Sequence, residues 1–169
     1  MKKLFLFFIL LNLFTLNSKA EIVYIDVNKI LNNSDVGKFL NNYIKKIKNE
    51  NSTKFKLIEE DLLKKEKSLI AQQNILENEE FKKKLDLLTS EVKKYRSDKK
   101  KSIDKLNKIK IERTKEIFKI LNPIITKYVE TNEISIVIPK KNIIVGKKNL
   151  DITSQIINLL NENIKKLSF

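Results

Sequence analysis

The chain has 169 residues, and its composition excludes several classes of function before any motif is considered. It carries 35 Lys and Arg against 21 Asp and Glu, a formal net charge of +14, and it contains neither Cys nor His. Without those two residue types the chain lacks the usual zinc ligands, a thiol nucleophile and the commonest general base at neutral pH. It also cannot form a disulfide, and its two glycines are too few for a Gly-rich phosphate loop. Composition therefore argues against an enzyme.

Residues 1–20 have the pattern of a secretory signal peptide. Two lysines precede an apolar stretch at residues 4–16, and Ser18 and Ala20 supply the small side chains that a signal peptidase requires. The alternative is a membrane anchor, but this apolar stretch is shorter than the ~20 residues needed to cross a bilayer. We expect cleavage after Ala20 and a soluble mature chain outside the cytoplasm. Cleavage would leave 32 Lys and Arg against 21 Asp and Glu, a net charge of +11.

Short apolar segments near the two ends of the chain predict a small β body. Residues 21–27 are rich in Ile, Val and Tyr and are apolar on both faces, which favours a strand buried on both sides. Residues 28–33 follow as a turn of helix or an irregular segment. Residues 134–138 alternate in part and predict a second strand, and residues 143–145, closed by Gly146, predict a third.

The region between these segments has the apolar spacing of a long antiparallel helical hairpin. Apolar residues recur at gaps of three, four and seven over residues 36–76, and from Phe81 the gaps alternate strictly between four and three. Such spacing is the signature of left-handed coiled-coil packing. The predicted seam of the return helix consists of Phe81, Leu85, Leu88, Val92, Tyr95, Lys99, Ser102, Leu106, Ile109 and Arg113.

The ends of the helices carry weaker signals. Ser34 or Asp35 is expected to cap the outgoing helix, and Asn78 to cap the return helix after a tip near residues 74–80. Pro123 predicts a kink or a restart before the return helix ends. Each arm helix of about 40 residues would be about 60 Å long. A final helix, capped by Asp151 or Thr153, is expected to bury Ile152, Ile156, Leu159 or Leu160, and Ile164.

The expected architecture is α+β, with an arm at residues 36–132 and a body made from residues 21–35 and 133–169. A sheet of so few short strands cannot protect its own edges, so we expect strands of several subunits to complete one inter-subunit body. The alternative is a monomer whose last helix covers the sheet. The residues expected to hold the oligomer together are Ile22, Tyr24, Ile134, Ile136, Ile138, Ile143 and Val145.

Most of the positive charge lies on the predicted arms. Residues 38–119 carry 24 Lys and Arg against 14 Asp and Glu, a net charge of +10. A positive surface attracts acidic partners and raises their encounter rate, and the stems of Lys add apolar length beside the charge. The residues expected to attract an acidic client are Lys93, Lys94, Arg96, Lys99, Lys100, Lys101, Lys105 and Lys108.

The order of these features resembles the Skp/OmpH family of periplasmic chaperones over essentially the whole mature chain. Four pieces carry the resemblance: the opening strand and turn (residues 22–31), the start of the first long helix (Gly37-Lys38), the two closing strands (residues 134–138 and 143–145) and the Leu-Asp-Ile-Thr start of the last helix (residues 150–153). No single motif among them is specific to the family. What is specific is their order, after a signal peptide and around a basic hairpin.

The resemblance implies a jellyfish-like homotrimer, in which a β body made from three chains carries three helical tentacles around a cavity. It also implies an ATP-independent holdase of the periplasm, without cofactor or catalytic residue, that binds unfolded outer-membrane proteins in the cavity and prevents their aggregation. Strands of such proteins alternate apolar and polar residues, so their apolar faces meet water until the barrel closes. Many weak contacts along the arms would shield them.

Other functions fit the same residues. The chain could be a passive coiled-coil spacer in the cell envelope, or it could bind anionic lipid head groups through its basic helices. Basic helices also bind nucleic acid, but an exported chain meets little of it, and Tyr95 is the only aromatic residue between Phe81 and Phe118. We therefore expect no nucleic-acid partner.

Overall fold

The computed structural model describes residues 21–164, which form a mostly helical chain with one small sheet. In chain order the elements are strand β1 (Glu21–Ile25), helices α1 (Val27–Asn33), α2 (Asp35–Ala71) and α3 (Asn78–Thr131), strand β2 (Ile134–Pro139), two 3₁₀ turns (Lys140–Asn142 and Lys148–Leu150) and helix α4 (Thr153–Asn163). The expected signal peptide at residues 1–20 lies outside the described residues. The fold is thus of the expected mixed class, with long helices and a small sheet.

The two ends of the described chain meet in one small body. Strands β1 and β2 pair in parallel, with Glu21 opposite Ile134 and Ile25 opposite Pro139, and a bulge follows Glu21. Apolar side chains from both strands and from all four helices pack together beside this sheet. The buried members are Val23, Ile25, Ile30, Val36, Leu40, Ile117, Leu121, Ile134, Ile152, Ile156 and Leu160. The bases of both long helices are therefore fixed in the body.

Strand β1 ends earlier than predicted because Asp26 caps a helix. Its Oδ1 accepts a hydrogen bond from the backbone N–H of Lys29 at 2.9 Å, so the chain leaves the sheet after Ile25 and residues 27–33 form α1. The next helix begins in the same way. The buried Ser34 accepts a hydrogen bond from the N–H of Gly37 at 3.2 Å, so Ser34 and not Asp35 is the cap of α2.

The start of α4 is tied to β1 by hydrogen bonds. The carboxylate of Asp151 accepts a hydrogen bond from the backbone N–H of Thr153 at 3.0 Å and another from the Thr153 hydroxyl. The same hydroxyl accepts a hydrogen bond at 2.8 Å from the backbone N–H of Asp26, which directly follows β1. The N–H of Ile152 donates to the carbonyl of Tyr24 at 3.1 Å. Of the two alternatives in the predicted apolar stripe of this helix, Leu160 is fully buried and Leu159 only partly.

The prediction of a third strand at residues 143–145 is wrong. These residues form an irregular loop, in which Ile144 is fully exposed and Val145 nearly so. The apolar run predicted a strand, but within residues 21–164 it pairs with neither β1 nor β2. Asp151 forms a bridge to Tyr24 and so occupies part of the edge of β1 that faces away from β2. The loop instead lies over the Tyr24 ring, which is 2.9 Å from the position of a Cβ at Gly146.

Helices α2 and α3 pack along the arm and run in opposite directions. Lys65 contacts Glu91 and Glu59 contacts Tyr95, both at 2.8 Å, so residues farther along α2 meet earlier residues of α3. On α2 the buried side chains recur every seven residues: Phe55, Leu62 and Leu69. On α3 the predicted seam is half-buried at Phe81, Leu88, Val92, Tyr95, Ser102, Leu106, Ile109 and Arg113, and exposed at Leu85 and Lys99.

The tip of the arm and the helix around Pro123 differ from the prediction in detail, whereas α3 ends at Thr131, close to the predicted end of the arm at residue 132. Helix α2 ends at Ala71, and the N-cap of α3 is Glu77, which places Asn78 inside the first helical turn rather than at the cap. Helix α3 continues through Pro123 without a restart and has 54 residues, more than expected. Packing on the body of Leu121 before Pro123 and of Ile125 and Tyr128 after it holds the helix on both sides of the missing N–H.

Gly37 allows the start of α2 to lie close against the end of α1. A Cβ at this position would lie 2.0 Å from the carbonyl oxygen of Leu31, closer than any real contact. We expect Gly37→Ala to lower the free energy of unfolding by about 1–3 kcal/mol, as overpacking of a core does. The measurement is the urea midpoint of the helical circular-dichroism signal.

The control for this change is Gly146→Ala. The Cβ added at position 146 would meet the edge of the Tyr24 ring at 2.9 Å. Position 146 lies in an exposed loop, which can move away more easily than the helix backbone at Gly37. We expect a smaller shift of the midpoint. If Gly37→Ala unfolds at the same urea concentration as the wild type, the close approach of α1 and α2 is incorrect.

Asp151 makes the stability of the body depend on pH. Burial disfavours its ionised form, but hydrogen bonds from Thr153 and the charges of Lys140 and Lys29 prevail and lower its pKa. Because the pKa is lowered in the folded state, ionised Asp151 stabilises the fold above about pH 4, the usual pKa of Asp, and this contribution is lost as the pH falls through the lower folded value. We expect the difference in urea midpoint between wild type and Asp151→Asn to be largest at neutral pH and to shrink in acid. A difference that is independent of pH would contradict this role.

Candidate functional site

The described residues offer open surfaces rather than a chemical centre. Within residues 21–164, no group of three Asp or Glu residues is arranged to hold a metal ion. No helix in the same range is long and apolar enough to cross a membrane. The surfaces that remain are the outer face of the small sheet and the two sides of the arm.

The predicted body residues divide between the core and one open face of the sheet. Ile134 is buried in the core, and Tyr24 is buried beneath the loop, where its hydroxyl donates to the carbonyl of Lys147 at 3.3 Å. Ile22 and Ile136 pair across the sheet and are exposed at 45% and 50%. Of the others, Ile138 and Ile143 are half-buried and Val145 is exposed. Parallel pairing therefore places two exposed apolar side chains next to each other.

Ile144 belongs with this exposed group although the sequence did not single it out. In the predicted strand, Ile144 would lie on the opposite face from Ile143 and Val145, because successive side chains of a strand alternate. In the irregular loop, Ile144 and Val145 both point to solvent. The outer edge of β2 is also open, since within residues 21–164 its only strand partner is β1. Exposed apolar side chains beside an unpaired strand edge favour association with another chain.

The predicted basic residues are all exposed on α3, but they do not form a single patch. At 3.6 residues per turn they are spread over much of the circumference of α3 rather than along one line. Some are paired locally: Lys100 with Asp104 at 3.0 Å and Lys108 with Glu112 at 4.0 Å. The exposed residues are Lys93, Lys94, Arg96, Lys99, Lys100, Lys101, Lys105 and Lys108.

A polar contact joins the two arm helices where the predicted seam is interrupted. The hydroxyl of Tyr95 donates to Glu59 at 2.8 Å, and Lys99 donates to the same hydroxyl at 2.9 Å. The hydrogen bond to Tyr95 and the negative charge of Glu59 both raise the pKa of Lys99. Phe55 packs edge-on against Tyr95, with ring centroids 6.0 Å apart. The sequence showed only a polar residue at this seam position, whereas in the structure Lys99 contacts Tyr95 and Glu59 and so helps to join the two helices.

One side of the seam near the tip is bridged by polar side chains. Lys65 lies 2.8 Å from Glu91 on the other helix and 3.1 Å from Asp61, and hydrogen bonds to these two carboxylates raise its pKa. Lys84 donates to Gln72 across the turn at 3.2 Å. We call this the polar side. The heptad pattern located the seam but could not show that its two sides differ; the doublets Leu62-Leu63 and Leu69-Ile70 were the available signal.

Comparisons with known proteins are consistent with this architecture. A family model described as outer membrane protein (OmpH-like) matches residues 21–160. Among solved structures, the chain is similar to a crystal structure of an OmpH-like protein, a candidate outer membrane chaperone, from Caulobacter crescentus CB15. The TM-score is 0.79 at 15% identity, over 89% of each chain, so this likeness shows a shared fold. No curated protein sequence matches the chain.

Proposed function

The chain belongs to the OmpH-like family, and we propose that it is an ATP-independent holdase of the periplasm. OmpH-like outer membrane chaperones are periplasmic and generally non-enzymatic. In this proposal the arms bind unfolded outer-membrane β-barrel proteins after export and keep them from aggregating. The signal-peptide pattern of residues 1–20 supports the location.

The observation that carries the proposal is the exposure of charge and apolar side chains together along the arms. Helices α2 and α3 have 37 and 54 residues and project from a body that holds only their bases. Large apolar side chains are exposed along them at Leu57, Leu63, Ile70, Leu87, Ile103 and Ile111. A protein that holds many different clients needs many weak contacts of this kind rather than one shaped pocket.

We further propose that three copies assemble through the body and that their arms surround a cavity. The exposed group of Ile22, Ile136, Ile144 and Val145 and the open edge of β2 support association there. Contact with a second copy would cover apolar side chains that the single chain leaves in water. Three arms fixed at one end would then present their basic surfaces to a client from several directions.

Charge reversal on the return arm tests the holding function. We expect the wild type to keep an acidic outer-membrane β-barrel protein soluble after dilution from urea, at low salt and without nucleotide. We expect the combined change Lys99→Glu, Lys100→Glu and Lys101→Glu to weaken this protection, because it removes positive charge from the surface that attracts the client. The measurement is light scattering by aggregated client against chaperone concentration.

The matched control reverses Lys141, Lys147 and Lys148, three exposed lysines of the body. It changes the net charge equally and should leave protection closer to that of the wild type. Salt should reduce the difference between the two variants, since exposed charges are screened. Full protection by the arm variant at low salt would show that arm charge does not attract the client. Aggregation with the wild type itself would favour the spacer function.

A second change tests assembly. Ile136 is half-exposed in the single chain, so we expect Ile136→Asp to leave the chain folded but to prevent assembly by placing an unpaired charge in the interface. The measurement is the mass by sedimentation, with helical content as the check on folding. The control is Ile111→Asp on the arm, where the exposed fraction is similar at 56%. A trimer formed by Ile136→Asp would exclude this face as the interface.

A further inference from the structure

The side of the arm opposite the polar side is an open, largely apolar groove. Near the tip it has a volume of about 660 Å³ and lies between Leu63 and Ile70 of α2 and Phe81 and Leu85 of α3. Leu63 and Ile70 are exposed beside the seam residues Leu62 and Leu69, and Leu85 is a predicted seam residue that is exposed. Leu63 and Ile70 contribute little to pairing of the two helices, because the buried Leu62 and Leu69 already fill the space between them.

A second groove continues along the same side toward the body. It has a volume of about 450 Å³ and includes Phe55, Ile103 and Leu106. Glu59 lines both grooves, and its contact with Tyr95 and Lys99 lies between them. The α2 positions that line this side are spaced three and four apart, as residues on one helix face are: Ser52, Lys56, Glu59, Leu63, Glu66 and Ile70. We call the two grooves together the open groove.

The rim of the open groove is positively charged. Its cations are Lys48, Lys56, Lys93, Arg96 and Lys99, against the two carboxylates Glu59 and Glu66. Within residues 21–164, no salt bridge of 4.0 Å or less engages Lys93 or Arg96. On the polar side, by contrast, Lys65 and Lys84 are both held by acidic partners. Lys93 and Arg96 are therefore available to an acidic partner beside the apolar side chains of the groove.

The dimensions of the open groove suit an extended peptide. Residues 52–70 of α2 cover about 27 Å of helix at 1.5 Å per residue. An extended chain of about eight residues, at about 3.3 Å each, has the same length. A transmembrane β-strand has about 9–11 residues and alternates apolar with polar side chains, so one face of it presents an apolar side chain about every 7 Å.

We propose that the open groove binds an extended, strand-like segment of an unfolded outer-membrane protein. The apolar face of the segment packs on Leu63, Ile70, Phe81 and Leu85, and acidic residues on it or next to it pair with Lys93 and Arg96. The polar side does not contact the client. This inference rests on the proposed holding function and assigns it to one side of each arm.

Site-specific labelling shows directly which side the client contacts. The chain has no Cys, so single cysteines can be introduced without background. Thr89 lines the open groove and Ser68 lines the polar side; both are exposed and near the tip. We expect an environment-sensitive fluorophore at Thr89→Cys to shift to the blue when an acidic outer-membrane β-barrel protein is added from urea. The same label at Ser68→Cys should shift little.

A matched pair of variants measures the contribution of the groove to affinity. The groove variant combines Leu63→Glu with Ile70→Glu, at side chains exposed at 50% and 63%. The control combines Leu57→Glu, on the face of α2 away from the seam, with Leu87→Glu on the polar side, at 62% and 66%. Both add the same charge to exposed positions, and Glu is a good helix former. We expect the groove variant to bind the client about tenfold more weakly, since burial of two apolar side chains is lost.

The outcomes separate the groove from the function as a whole. A shift at position 89 alone, with weakening in the groove variant alone, supports the open groove. Equal shifts at both positions, or equal weakening in both variants, would overturn it while leaving the holding function intact. If the wild type fails to keep the client soluble, the holding function is wrong and the assignment of the groove falls with it.

Discussion

The parallel pairing of β1 with β2 is the contact on which the rest of the described chain depends. It joins segments more than a hundred residues apart, and closing so long a loop costs entropy that only a shared core can offset. Val23 and Ile25 supply that core from β1, and Ile117 and Leu121 pack against it from α3. Because both chain ends are held in the body, the intervening residues must leave on one helix and return on another.

The arms consequently have little core of their own. Between Leu40 and Ile117, the buried apolar side chains of the described chain are Phe55, Leu62 and Leu69. A seam only one side chain wide leaves the neighbouring positions in water, and there the chain carries both cations and large apolar residues. The same shortage of core explains why one surface carries both the cations and the apolar side chains that the proposed holding function needs.

Much of the fold could be predicted from local patterns, and the errors arose where a distant partner decides. The heptad of α3 depends on neighbours in sequence and was predicted, and so was the cap of α2, as one of the two alternatives Ser34 and Asp35. The strand at residues 143–145 does not form, because Asp151 occupies part of the free edge of β1 and the loop lies over Tyr24 rather than along the open edge of β2. The end of β1 was placed too late because Asp26 was not recognised as a cap. The exposure of the predicted body residues and the difference between the sides of the arm depend on tertiary packing, so composition could not reveal them.

The most direct test of a client-holding oligomer is the mass of the mature protein by light scattering, alone and with an outer-membrane β-barrel protein diluted from urea. We predict a mass of three chains that increases by the mass of the client, with the mixture remaining soluble in the absence of nucleotide. A single-chain mass, with the client lost to aggregation, would contradict both the assembly through the sheet face and the holding function of the arms.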